Sequence, residues 1–167
     1  MDVTAELVAP CRPQQLFRWI DDLSDYPQWL DIVSRAVPAE GHPDDVGPAW
    51  SVTLRGRLGP FARAKRLRMV RMAHDPPRLV GFERMEHDGR QHPAWVLRAE
   101  VHASEPGAAG TIPTDATDPA SKLVMHLHYG GRLGGPPVRK LLADAIERSR
   151  ARLLERVMAS PEEGSSG

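Results

Sequence analysis

The end of the chain constrains the fold most. Val138, Leu141, Leu142, Ala145, Ile146, Ser149, Leu153 and Val157 recur at i, i+3, i+4 spacing, which predicts one long helix opened by "GGPP". From Pro136 to Met158 such a helix would be about 34 Å long at 1.5 Å per residue. For about a hundred residues before it, helical periodicity is missing. Trp50, Val52 and Leu54 alternate with Ser51, Thr53 and Arg55. Trp95, Leu97, Ala99 and Val101 alternate with Val96, Arg98, Glu100 and His102, and Leu123, Met125, Leu127 and Tyr129 with Lys122, Val124, His126 and His128. Segments 61–72 and 78–87 also read as strands, with the alternation slipping near Val70 as at a bulge. The breaks are turn-rich: "GHPDDVGP", "RLGP", "HDPP", "EHDGRQHP". Short strands with such breaks predict an antiparallel meander. A sheet with one apolar face needs a cover, and the striped helix has the length to supply it.

The start of the chain adds the remaining parts. Val3, Ala5, Leu7 and Ala9 alternate with Asp2, Thr4 and Glu6, a half-buried strand that Pro10 and Pro13 end. Leu16, Trp19, Ile20 and Leu23 fall on one helical face, and Ser24, Asp25 and Pro27 stop that helix and start a second short piece. The connector "EPGAAGTIPTDATDPAS", residues 105–121, reads as a mobile hairpin loop within one domain.

Composition excludes several classes. Apolar residues make up 41% and charged residues 26% of 167, as in an ordinary soluble domain. No stretch is apolar and long enough to span a bilayer, and no secretory signal is visible, so a cytoplasmic location is expected. One cysteine, Cys11, allows no internal disulfide, and without a nearby histidine it reads as inert. Lys+Arg and Asp+Glu balance at 22 each, which argues against a general polyanion binder. Residues 46–74 nevertheless hold Arg55, Arg57, Arg63, Lys65, Arg66, Arg68 and Arg71 and no acidic side chain. With only Phe61 among them, the aromatic interleaving of a nucleic-acid platform is absent, and no nucleic-acid partner is expected. The block reads as a solvated sheet face paired with Asp21, Asp22 and other acids. Arg71 is the exception: it follows the slip in alternation, and turned inward it would need a carboxylate or anion.

The segments "VTAELVAPCRPQQLFRWIDDLSDYPQWLDIVSRAV" and "GGPPVRKLLADAIERSRARLLERV" carry a resemblance. The chain resembles the START-like superfamily, also called the helix-grip, Bet v 1-like or SRPBCC fold, and within it the polyketide cyclase/dehydrase-like branch. The resemblance implies an α+β helix-grip fold over residues 1–159. A curved seven-stranded antiparallel sheet would wrap a long C-terminal helix, with two short helices after the first strand. Residues 160–167 would be a disordered tail. It also implies a hollow that takes lipids, sterols, polyketides or quinones. Some members do chemistry there, many only carry ligand, and others bind protein partners.

On that fold Trp29, Trp50, Trp95, Met125, Leu127, Tyr129, Leu142 and Ile146 are the candidate ligand-binding residues. The plain alternative for each is core packing. Tyr129 has a hydroxyl that needs a partner when buried. His126 and His128 share one strand face, but they alternate with the apolar set, so they should point outward, and no further ligand lies near in sequence. No metal and no cofactor are expected. For cyclase chemistry, Arg71 would fill the cavity-arginine position and Tyr129 would be a second polar group. The matching hydroxyl positions hold Met69 and Val33, which removes the groups that would orient a poly-ketone chain. The reading is a non-catalytic binder of a small hydrophobic molecule, monomer or homodimer. Its alternatives are a cyclase/dehydratase enzyme and a protein- or ribosome-interaction module acting through the arginine-rich hairpin.

Overall fold

The structure is a computed structural model. It describes residues 1–55, 64–104, 119–131 and 135–160, and in the last span the side chains of 140 and 144–160. Arg57, Phe61, Arg63, the side chain of Leu142, most of the 105–121 connector and the tail beyond Ser160 lie outside the described residues.

Seven strands form one antiparallel sheet: β1 (Asp2–Ala9), β2 (Val33–Ala39), β3 (Ala49–Leu54), β4 (Lys65–Asp75), β5 (Leu79–Arg84), β6 (Trp95–Ser104) and β7 (Ala120–Tyr129). Their order is β1-β7-β6-β5-β4-β3-β2, so the meander from β2 to β7 is closed by the first strand at its far edge. The long helix α2 (Gly135–Ala159) packs on β1, burying Ala145, Ser149, Leu153 and Val157 at four-residue spacing. This is the expected helix-grip arrangement.

The strands keep the period-two pattern. Leu97 and Ala99 of β6 stand opposite Leu127 and Met125 of β7, which in turn face Val3 and Ala5 of β1. One apolar row therefore runs across three strands on the face under α2. The slip in β4 is a register shift between Arg71 and Ala73, a bulge at the place where alternation fails.

The opening helix is shorter than its apolar stripe predicts. α1 spans only Pro13–Phe17, and Leu23–Gln28 is a 3₁₀ helix. The cause is local. The Trp19 carbonyl accepts the Trp29 indole N–H at 3.0 Å, and the Ile20 carbonyl accepts the Tyr26 hydroxyl at 3.0 Å. The acceptors that would extend α1 are taken by aromatic donors downstream. Asp22 then caps the 3₁₀ helix by accepting the Ser24 N–H at 2.7 Å. Tyr26, Pro27 and Trp29 thus fold the two helical pieces against each other, with the Tyr26 and Trp29 rings 4.8 Å apart. Tyr26, Leu16, Ile20 and Phe82 are fully buried, and each large apolar side chain buried this way contributes about 1.5–3 kcal/mol.

Candidate functional site

Between the sheet, the 3₁₀ helix and α2 lies a cavity of about 70 Å³. Leu67 and Met69 of β4, Trp95 and Leu97 of β6, Met125 and Leu127 of β7 and Ile146 of α2 form much of its wall. Val33 and Met69 are both in the lining. Tyr26 brings the one hydroxyl of the wall among the described residues, and it is spent on the Ile20 carbonyl. Burial and the nearby Asp21 and Asp22 push the Tyr26 phenol far above its ordinary pKa, so it stays a neutral donor. No ionisable carboxylate, imidazole or amine is in this wall among the described residues.

The candidate residues separate. Trp95, Met125, Leu127 and Ile146 line the cavity. Trp29 borders a smaller neighbouring void of about 20 Å³ with Leu30, Met125 and Ile146. Trp50 is buried against Phe82, ring centroids 5.5 Å apart, and donates its indole N–H to Asp22 at 2.9 Å. Tyr129 packs against Trp95 with the rings tilted and their centroids 4.8 Å apart, and Gly131 lies so close to its phenol that a Cβ there would collide with the hydroxyl. Leu142 is in α2, with its side chain undescribed.

Arg71 has the carboxylate that an inward arginine requires. Its Nη1 lies 3.2 Å from Asp21 Oδ1, its guanidinium sits 6.0 Å from the Trp50 ring centroid, and His74 Nε2 approaches the same Asp21 oxygen at 2.7 Å. This cluster ties the α1–3₁₀ joint to β4. Arg71 and Tyr129 are not brought together. Lys65, whose Nζ is 5.5 Å from the Tyr129 ring, precedes Arg71 by six residues of strand, roughly 20 Å.

His126 and His128 are exposed, bonded to Thr4 at 3.0 Å and Asp2 at 2.7 Å. A different set, His42, Asp44 and His87, brings its ligand atoms within 4.8 Å of one another. The two rings stack at 3.6 Å. A guanidinium Nη1 from Arg68 lies 3.3 Å from His87 Nε2, so a cation there would meet a fixed positive charge. That arginine belongs to an ion pair: its Nη2 is 2.6 Å from Asp45 Oδ2, with both side chains largely buried. The Arg68 hydrogen bonds hold the Asp45 carboxyl well below the usual carboxylate range.

One corner was not singled out from sequence. Where β4 begins, β5 ends, β6 begins and β7 ends, Lys65, Arg84, Trp95 and Tyr129 meet. Lys65 and Arg84 are in phase with the cavity side of their strands: Lys65 with Leu67 and Met69, and Arg84 opposite Met69. The signal was available as two cations at apolar-phase positions next to strand ends.

The seven-stranded sheet and C-terminal helix make a START/Bet v 1-like ligand-binding fold of the helix-grip kind. Residues 1–160 match the family described as polyketide cyclase / dehydrase and lipid transport, and the chain belongs to it. Solved structures similar to it include a START superfamily protein from Mycobacterium smegmatis, with a TM-score of 0.61 at 13% identity over 94% of this chain and 97% of that one. The XoxI protein from Bacillus cereus gives 0.59 at 10% identity, covering 95% and 96%. Ara h 8.0201 gives 0.57 at 14% identity, covering 96% and 99%. Likeness at such identities speaks for the fold alone. No curated protein matches the chain in sequence. No helix among the described residues is long and apolar enough to cross a membrane.

Proposed function

We propose that this protein binds and carries a small hydrophobic or amphipathic molecule in the cavity between sheet and α2, without chemistry on it. The observation that carries the reading is the wall itself: among the described residues its side chains are apolar, and the Tyr26 hydroxyl is already bonded to backbone. Such a wall offers an apolar ligand a large transfer free energy and offers a reacting group no acid or base. The cavity is below the roughly 300–1,000 Å³ of ordinary ligand sites, so binding requires the wall to move outward. Met69 and Met125 suit that role, because unbranched thioether side chains repack at low cost. Trp95, Met125, Leu127 and Ile146 are the proposed contacts.

The cyclase/dehydratase reading has less support. Arg71 is committed to Asp21, and Tyr129 lies at the other end of β4. An arginine-driven interaction surface is likewise weakened, since Arg68 and Arg71 are both ion-paired.

Native mass spectrometry of freshly purified protein tests the proposal. A retained lipid-like or aromatic adduct, released on denaturation, is the expected result. A bare mass, together with no adduct after incubation with fatty acids, sterols and quinones, would contradict it.

A further inference from the structure

Arg84 is buried, with its side chain 6% exposed, yet it is only partly satisfied. Nε donates to Glu86 Oε1 at 2.9 Å, and Nη2 lies 3.1 Å from His92 Nδ1. His92 Nε2 is 2.9 Å from both oxygens of Asp88, which makes Nε2 the protonated nitrogen and Nδ1 the acceptor for Arg84. Nη1 has no partner among the described residues. The indole N–H of Trp95, on a residue 5% exposed, has none either. Native proteins rarely leave buried charged donors unmatched, because each costs its full desolvation.

Lys65 adds a second cation. Its Nζ stands 5.9 Å from the Trp95 ring centroid and 5.5 Å from that of Tyr129, and it forms no salt bridge among the described residues. Burial first and Arg84 second lower its pKa, as expected for two cations crowded in a poorly hydrated corner. Glu86 is the carboxylate close to both, and its Oε1 is already shared with the Arg68 backbone N–H at 3.1 Å. Trp95 also forms part of the cavity wall, so the cationic corner adjoins the apolar hollow.

We infer that Lys65, Arg84 and the Trp95 indole N–H form a head-group site for a carboxylate whose apolar chain occupies the adjoining cavity. The inference rests on the ligand-binding reading above and names the class of ligand: a monocarboxylic amphiphile. Two carboxylate oxygens match the unpaired Arg84 N–H and the Lys65 ammonium, with the indole N–H as a third donor. The apolar chain supplies transfer energy, and the head fixes its orientation.

Isothermal titration with octanoate, 1-octanol and acetate tests this on the full chain. Octanoate should bind roughly tenfold or more tightly than octanol, the value of one charge-assisted bond. Acetate alone should bind far more weakly than either. Lys65→Gln and Arg84→Gln should each bring octanoate to the affinity of octanol and leave octanol unchanged. Lys65→Gln is the safer variant for folding, since Lys65 holds no ion pair among the described residues. Equal affinities for octanoate and octanol would overturn the head-group site and leave the cavity reading standing. Octanoate binding unchanged in both variants would overturn it too, as would acetate binding as tightly as octanoate. If neither eight-carbon probe bound, the head-group site would be overturned, and the cavity reading would be decided by the sterol and quinone incubations.

Discussion

Single residues in this molecule are governed by which charges find partners. Asp45 is the sharpest case. Arg68 bonds hold its native carboxyl well below the ordinary carboxylate pKa, so the folded state binds a proton there less readily than the unfolded chain. The ion pair therefore adds stability at every pH above the unfolded carboxyl pKa of about 4, and the gain fades as pH falls below that. Asp45→Asn should lower the thermal midpoint at pH 7 by an amount that holds constant down to about pH 4 and then closes. Melting curves of both proteins across pH 2–8 check this, and a gap that widened in acid would contradict it. That Arg71 needs a carboxylate was legible from the slip in alternation before it, but its partner was not: Asp21 is the acid the sequence pairs with the outer basic face. The role of Arg84 was not: its significance lies in one unmatched N–H, and no pattern in the chain announces that.

Among elements, the strands were the most readable, because alternating burial writes itself into alternating residue type. Even the bulge between Arg71 and Ala73 left its mark as a break in that alternation near Val70. The first helix was over-extended, since Trp19 and Ile20 complete its apolar stripe while their carbonyls serve Trp29 and Tyr26 instead. Long-range side-chain donors of that kind have no local signature. The docking of α2 shows the same limit. Ser149 looks like a polar interruption in the stripe, yet its hydroxyl accepts the Asp31 N–H at 3.0 Å and donates to the Ala145 carbonyl at 2.7 Å. Arg152 reaches the Asp31 carboxylate at 3.0 Å beside it. Ser149→Ala should cost about 1 kcal/mol, because it removes the partner of a part-buried backbone donor where α2 meets the start of β2. Urea unfolding measures that directly, and a change under about 0.5 kcal/mol, the usual surface value, would mean the bond does not hold the helix.

On the scale of the whole molecule, the order of elements allowed few folds: a strand, two short helices, a meander and one striped helix. A curved sheet gripping a single helix leaves space between them, and here that space is walled by apolar side chains from six strands, the 3₁₀ helix and α2. What the chain could not express is its volume. A cavity of about 70 Å³ results from how far Met69, Met125 and Leu127 reach inward, which is a matter of rotamers and sheet curvature. A carrier role requires that this hollow open to take a ligand. Methionine positions suit the test: Met69 and Met125 line the cavity, whereas Met72 and Met158 are 37% and 57% exposed elsewhere. We would label the methionine methyls with ¹³C and titrate octanoate while recording methyl spectra. Such opening predicts that the Met69 and Met125 resonances shift and saturate together while those of Met72 and Met158 stay in place. Shifts confined to Met72 and Met158, or none at any methionine, would contradict it.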